Sequence, residues 1–314
     1  MSAAGLFSKR LVFVTGKGGV GKSTCALSLA VAASRLGKRT LFCEFGARPA
    51  SEDYLEISSI GHVPRLPLPE ELPKLWAARL EPHHALQEYF GETLKLKSLV
   101  RLATRNKMLS RLWQIAPSVD EIVLLNSLFH FERGTHTHGP KFDFIVVDMP
   151  ATGHALAMLG VPKGILGLGR VGPLGRRCGE LEKLLQDSSR CGYCIVTLPE
   201  ELPVNESVQL AGELREKLQI EPSHVFVNQV LPEALGEDER VLLDRLVGTL
   251  GGKDEGALLA LAVNNGILRD LQDKRIADLK RRLSTTFVEI SLHGDRGRSL
   301  VERIAGQFLG EVTG

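Results

Sequence analysis

Short apolar runs and amphipathic stretches alternate along this chain. The apolar runs read as strands near residues 10–15, 40–45, 142–148, 192–198, 223–228 and 285–291. Between and after them, helical patterns fall near 22–36, 204–219, 237–250, 256–283 and 296–309. Alternation of this kind predicts an α/β fold: a doubly wound, mostly parallel sheet with helices on both faces, in a single domain covering 1–314. One stretch departs from the pattern. Residues 70–131 read as mostly helical, an insertion into the alternating frame. A second stretch, 162–179, is rich in glycine and leads into a helix.

Composition narrows the class. The 314 residues are 43% hydrophobic, enough for a large core, and the net charge is +2. No run approaches the roughly 18 apolar residues of a membrane span. Residues 1–10 lack the apolar centre of a secretion signal. Five cysteines without a paired framework suit a reducing compartment. A cytoplasmic protein is expected, not an integral membrane protein and not a nucleic-acid binder, since Trp113 is the sole aromatic in the basic stretch.

Chemistry enters at residues 16–24, Gly-Lys-Gly-Gly-Val-Gly-Lys-Ser-Thr, between the first strand and the first helix. Gly18, Gly19 and Gly21 let the backbone, Val20 included, curl so that its N–H groups face inward at phosphate oxygens. The helix N-terminus adds partial positive charge at the same point. Lys22 reaches the β- and γ-phosphates, the Ser23 hydroxyl is placed for Mg²⁺, and Thr24 closes the loop. Gly16, Gly18 and Gly21 also spell a dinucleotide fingerprint, and Glu44 lies where a ribose-binding acid would. A dehydrogenase, however, has no use for Lys22 and Ser23. A second motif agrees with the first. Residues 142–148 read as a buried strand ending in Asp148, followed by Met-Pro-Ala-Thr152-Gly153-His154. An acid at the carboxyl end of a parallel strand faces the phosphate loop, where it can hold Mg²⁺.

Lys17, ahead of the glycines, makes the loop unusual. In this it resembles the dimerising P-loop ATPases that include MinD, ParA, nitrogenase iron protein, the arsenite-pump ATPase and the tail-anchored-protein targeting ATPase. Asp148, Thr152, Gly153 and His154 resemble switch II of the arsenite-pump (ArsA) branch. The turn at Leu198-Pro199-Glu200-Glu201-Leu202-Pro203 and the strand end Phe226-Val227-Asn228-Gln229 are similar to that branch too. The resemblance implies that Lys17 crosses a dimer interface to the partner's nucleotide and that Asn228 holds the adenine. It implies ATP or ADP with Mg²⁺, and a homodimer or a heterodimer with a paralogue. Catalytic work is then expected of Lys17, Lys22 and Glu44. Nucleotide binding is expected of Gly18, Gly19, Val20, Gly21, Lys22, Ser23, Thr24 and Asn228, and Mg²⁺ binding of Ser23 and Asp148.

One position departs from that family. The water-positioning Asp at the end of the second strand falls on Gly46, within Gly46-Ala47-Arg48-Pro49. Loss of a positioned base costs about 10²–10⁴-fold in rate. Glu44, two residues earlier on the same strand face, is the expected substitute, with Asp53 a weaker candidate. Cys191 and Cys194 have zinc-ligand spacing but supply only half a tetrahedral set, and read as core cysteines. Lys95, Lys97, Arg101, Arg105, Lys107 and Arg111 interleave with apolar residues. Such a helix either packs on the core with a solvated basic face or meets an anionic membrane or apolar client. The expected function is a nucleotide-gated ATPase dimer handling or regulating an apolar or membrane-associated protein client, with slow hydrolysis. The alternatives are a hydrolysis-impaired regulatory subunit, an anion-efflux pump motor, and a MinD/ParA-like positioning ATPase.

Overall fold

Every residue of the strand Leu11–Gly16 (β1) is buried, so protein covers both of its faces. Its side chains divide as the two-residue period requires: Leu11 and Phe13 enter one apolar core, Val12 and Val14 another. The computed structural model describes residues 4–45, 50–55, 60–64, 74–86, 119–136, 139–168, 172–232, 242, 245–246 and 254–313. Six further strands join β1: Thr40–Phe45 (β2), Leu75–Leu80 (β3), Phe144–Asp148 (β4), Cys191–Thr197 (β5), His224–Val230 (β6) and Thr286–Ser291 (β7). They form one seven-stranded sheet in the order β3-β2-β4-β1-β5-β6-β7. Every pairing is parallel.

Helices close both faces. Ala4–Phe7 (α1), Lys22–Arg35 (α2) and Gly297–Thr313 lie on one side, with Ala50–Leu55 (α3) packed beside α2. The other side takes Val119–Arg133 (α4), Thr152–Leu168 (α5), Gly172–Gln186 (α6), Glu201–Glu213 (α7) and Asp254–Arg282 (α8), the chain ending in Gly297–Thr313 (α9). A π-helical turn, Leu214–Leu218, continues α7. The buried small residues of α2, among them Ala26, Ala30 and Ala33, let that helix lie close to the sheet, with Phe144 and Val146 in the same core. Because β1 sits mid-sheet with β4 on one side and β5 on the other, the loop after β1 opens at the point where strand order reverses, the usual place for a ligand in such sheets.

The expected doubly wound parallel sheet is present, and its six expected strands lie within two residues of their predicted bounds. Within the stretch 70–131, expected to be mostly helical, Leu75–Leu80 is an edge strand that was not singled out from the sequence, paired in register with β2, Thr40 to Leu75 through Phe45 to Leu80. Leu75, Ala77, Ala78 and Leu80 are buried, while Trp76 and Arg79 stay half-exposed, a mixed pattern that fits a helix and an edge strand equally. Residues 119–131 of that stretch are helical as expected, in a helix that runs on to Arg133. The basic stretch from Lys95 to Arg111 lies outside the described residues, as does most of the expected helix at 237–250. Pro162, expected to open a glycine-rich stretch, lies inside α5 instead, with Val161 beside it in the core.

Candidate functional site

The turn from β1 into α2 demands glycine at two points. Gly16 has φ +149°, and a Cβ there would come 2.3 Å from the Val196 carbonyl oxygen of β5. Gly21 caps α2 in the left-handed region, φ 88° and ψ 27°. Gly18 and Gly19 are exposed with open space around them, while Val20 is buried and anchors the loop to the core. Lys22, the first residue of α2, reaches back over the loop, and its Nζ donates to the Lys17 carbonyl at 2.8 Å. Burial lowers the Lys22 pKa, and the charge of Asp148 opposes that shift.

Strand register brings the acids to the same place. Asp148 ends β4, and Glu44 on the adjacent β2 pairs with it in register. Asp148 Oδ2 accepts the Ser23 hydroxyl at 2.5 Å. Its other oxygen, Oδ1, is buried and has no partner among the described residues. Burial pushes the Asp148 carboxyl up to about 6; the Ser23 hydrogen bond and Lys22 pull it down, and Glu44 raises it further. Glu44 is 3% exposed and accepts from both the hydroxyl and the backbone N–H of Ser51. Asp148 thus faces Lys22 at the mouth of the loop, with Glu44 beside it on the neighbouring strand. A buried carboxylate oxygen with no partner, beside a hydroxyl, is a donor set that fits Mg²⁺, a hard cation usually held by one or two protein oxygens plus substrate phosphates. The described residues contain no cluster of three or more His, Cys, Asp or Glu placed to hold a metal ion by themselves.

The sequence-predicted residues Lys17, Gly18, Gly19, Val20, Gly21, Lys22, Ser23, Thr24, Glu44, Asp148 and Asn228 therefore gather at the carboxyl ends of β1, β2, β4 and β6. Lys17 is ion-paired with Glu206 of α7 within the same chain. Asn228 is buried, and its amide nitrogen donates to the Val20 carbonyl at 2.9 Å. Thr24 donates to the Tyr54 hydroxyl at 2.9 Å. Thr152 opens α5, with Gly153 and His154 exposed in its first turn. Gly46 lies outside the described residues, and so does the side chain of Asp53. Ser51 and Tyr54, the partners of Glu44 and Thr24, were not singled out from the sequence. Both sit on α3, whose six residues carry no motif.

Cys191 and Cys194 do not converge. Three residues apart on a strand, they enter opposite cores. All five cysteines are free and buried. Burial carries the Cys25 thiol up to about 12 and holds Cys191 and Cys194 above that range, so none is a ready thiolate.

Comparison with known proteins gives a consistent picture. The profile of the family described as "Anion-transporting ATPase" matches residues 9–168 and 174–246. A putative arsenical pump-driving ATPase of Halobacterium salinarum is 30% identical over 73% of this chain and 37% of its own length. ATPase BagA of Mycobacterium tuberculosis is 31% identical over 72% of this chain and 66% of its own length. ATPase GET3B of Arabidopsis thaliana is 24% identical over 87% of this chain and 77% of its own length. The chain thus spans less than two thirds of the first two of these relatives.

Proposed function

Since the chain belongs to the anion-transporting ATPase family, we propose that it binds ATP with Mg²⁺ at residues 16–24 and hydrolyses it to ADP and phosphate. The observation that carries this reading is the Ser23–Asp148 hydrogen bond at the mouth of the loop, with the second Asp148 oxygen buried and unpartnered. Ser23 and Asp148 would hold Mg²⁺, which supplies charge neutralisation of the phosphates. Lys22 would leave the Lys17 carbonyl for the β- and γ-phosphates, exchanging a neutral acceptor for an anionic one. The backbone N–H groups of 18–22 and the start of α2 would take the remaining oxygens. Calorimetry tests this directly. Lys22→Ala should abolish Mg-ATP binding, and unchanged affinity in that variant would sink the assignment.

The working unit in this proposal is a dimer gated by nucleotide, acting in the cytoplasm or peripherally at a membrane. Lys17 would exchange Glu206 for the partner's nucleotide, and the segments after Glu44 and Asp148 would report the γ-phosphate outward. Leu261, Ile267, Leu268 and Leu271, all exposed on α8, support an apolar protein client. No helix among the described residues is long and apolar enough to cross a membrane. The burial of all five thiols argues against a metalloid site on the chain itself.

A second reading, a hydrolysis-impaired regulatory subunit paired with an active paralogue, is favoured by Gly46 and by Glu44, whose carboxylate is held by Ser51. ATP turnover of the chain alone and mixed with paralogues separates the two readings.

A further inference from the structure

β6 does not run straight to its end. Its pairing with β7 is regular from His224 to Val227, then slips, and resumes at Val230 opposite Ser291. Asn228 and Gln229 lie in the slip, and Gln229 holds φ at +60°. A non-glycine residue in the left-handed region is strained and persists where the surroundings enforce it. Bulges of this kind re-aim side chains. The side chain at this one is Asn228, 5% exposed, whose Nδ2 donates to the Val20 carbonyl 208 residues earlier in the chain. The same nitrogen fills the space beside Gly21, where a Cβ would come within 2.3 Å of it.

The consequence lies in one peptide plane. Val20 and Gly21 are joined by a trans peptide, there being no cis bond among the described residues. A trans plane carries its carbonyl and its N–H on opposite sides. Holding the Val20 carbonyl toward β6 therefore turns the Gly21 N–H away from β6. Building on the phosphate-loop function above, we propose that Asn228 is a positioning residue for the phosphate loop: it locks the Val20–Gly21 peptide so that the loop's donors face the phosphates, and it sets affinity for the triphosphate whatever base is attached. This differs from a contact with adenine, which disappears when the base does. It also gives the left-handed Gln229 a purpose, because the bulge is what brings the amide under the loop.

Calorimetry with Mg-ATP and with Mg-tripolyphosphate, which has no base, separates the two roles. Asn228→Ala removes one hydrogen bond and strands a buried carbonyl, so both ligands should weaken by the same factor, about tenfold. Asn228→Asp places an ionised acceptor against the carbonyl at pH 8. At that pH, where Asp148 is ionised, this variant should bind Mg-ATP and Mg-tripolyphosphate more weakly by the same factor, since a carboxylate cannot donate to the Val20 carbonyl. This variant keeps the test open if Asn228→Ala does not fold. Loss of ATP affinity with tripolyphosphate binding unchanged would assign Asn228 to the base and overturn the proposal. No loss for either ligand would also overturn it. Wild type that binds neither ligand would overturn the phosphate-loop function and this proposal with it.

Discussion

The Asp148 carboxyl titrates near 6 in the folded chain against an ordinary 3.8, with burial the leading cause. That displacement corresponds to about 3 kcal/mol between the protonated and ionised forms. Because the folded pKa is the higher one, the folded state holds this proton more tightly than the unfolded chain does. The group's stabilising contribution is full below pH 3.8 and is lost as pH rises through about 6. Asp148→Asn removes the titration and keeps an acceptor for Ser23. Its amide nitrogen inherits the place of the unpartnered oxygen, at a cost of roughly 1–2 kcal/mol. At pH 7.5 without nucleotide the variant should therefore be more stable than wild type by about 1–2 kcal/mol. By pH 4 that advantage should vanish or reverse, a swing of about 3 kcal/mol in all. Urea denaturation at a series of pH values measures it. Saturating Mg²⁺ with ADP should stabilise wild type at pH 7.5 and lose that effect below pH 6, while the variant should gain little from the metal at any pH. A stability difference that stays constant from pH 4 to 7.5 would refute the reasoning, since the buried charge is its only source of pH dependence.

Other perturbations follow from the same geometry. Glu132, 1% exposed, lies between Arg10 and Arg190, which tie β1, α4 and β5 together at the far end of the sheet. Glu132→Gln should cost about 2–4 kcal/mol by urea denaturation, because both guanidiniums lose their anion, and a loss under about 1 kcal/mol would show the network to be dispensable. Lys17→Ala should weaken the ATP-dependent dimer seen by light scattering while leaving monomer affinity for nucleotide largely intact; a wild-type monomer under saturating ATP analogue would exclude a homodimer. Gly46→Asp should raise ATP turnover by up to about 10²-fold if Gly46 stands in for a positioned acid. Fast wild-type turnover that survives Glu44→Gln would exclude both residues as the relevant acid.

The place and shape of the glycine-rich turn were legible in its residues. A strand, a run of glycines and a helix opening with Lys22 and Ser23 follow one another within a few positions, so backbone conformation alone sets the turn. The buried strands were legible for a similar reason, since a strand covered on both faces is apolar throughout. Asp148 could be placed by its position at a strand end, before any pairing was known. What the sequence left open were contacts between distant segments. Leu75–Leu80 is a strand because β2 offers it an edge, and nothing within those six residues says so. Cys191 and Cys194 read as core cysteines despite their zinc-ligand spacing, but only the strand's place in the sheet sends the two thiols to opposite cores. Lys17 finds Glu206 across 189 positions, and Asn228 finds Val20 across 208. Which donor meets which carbonyl depends on the order of strands in the sheet and on a bulge in β6, and these are settled by the packing of the whole chain.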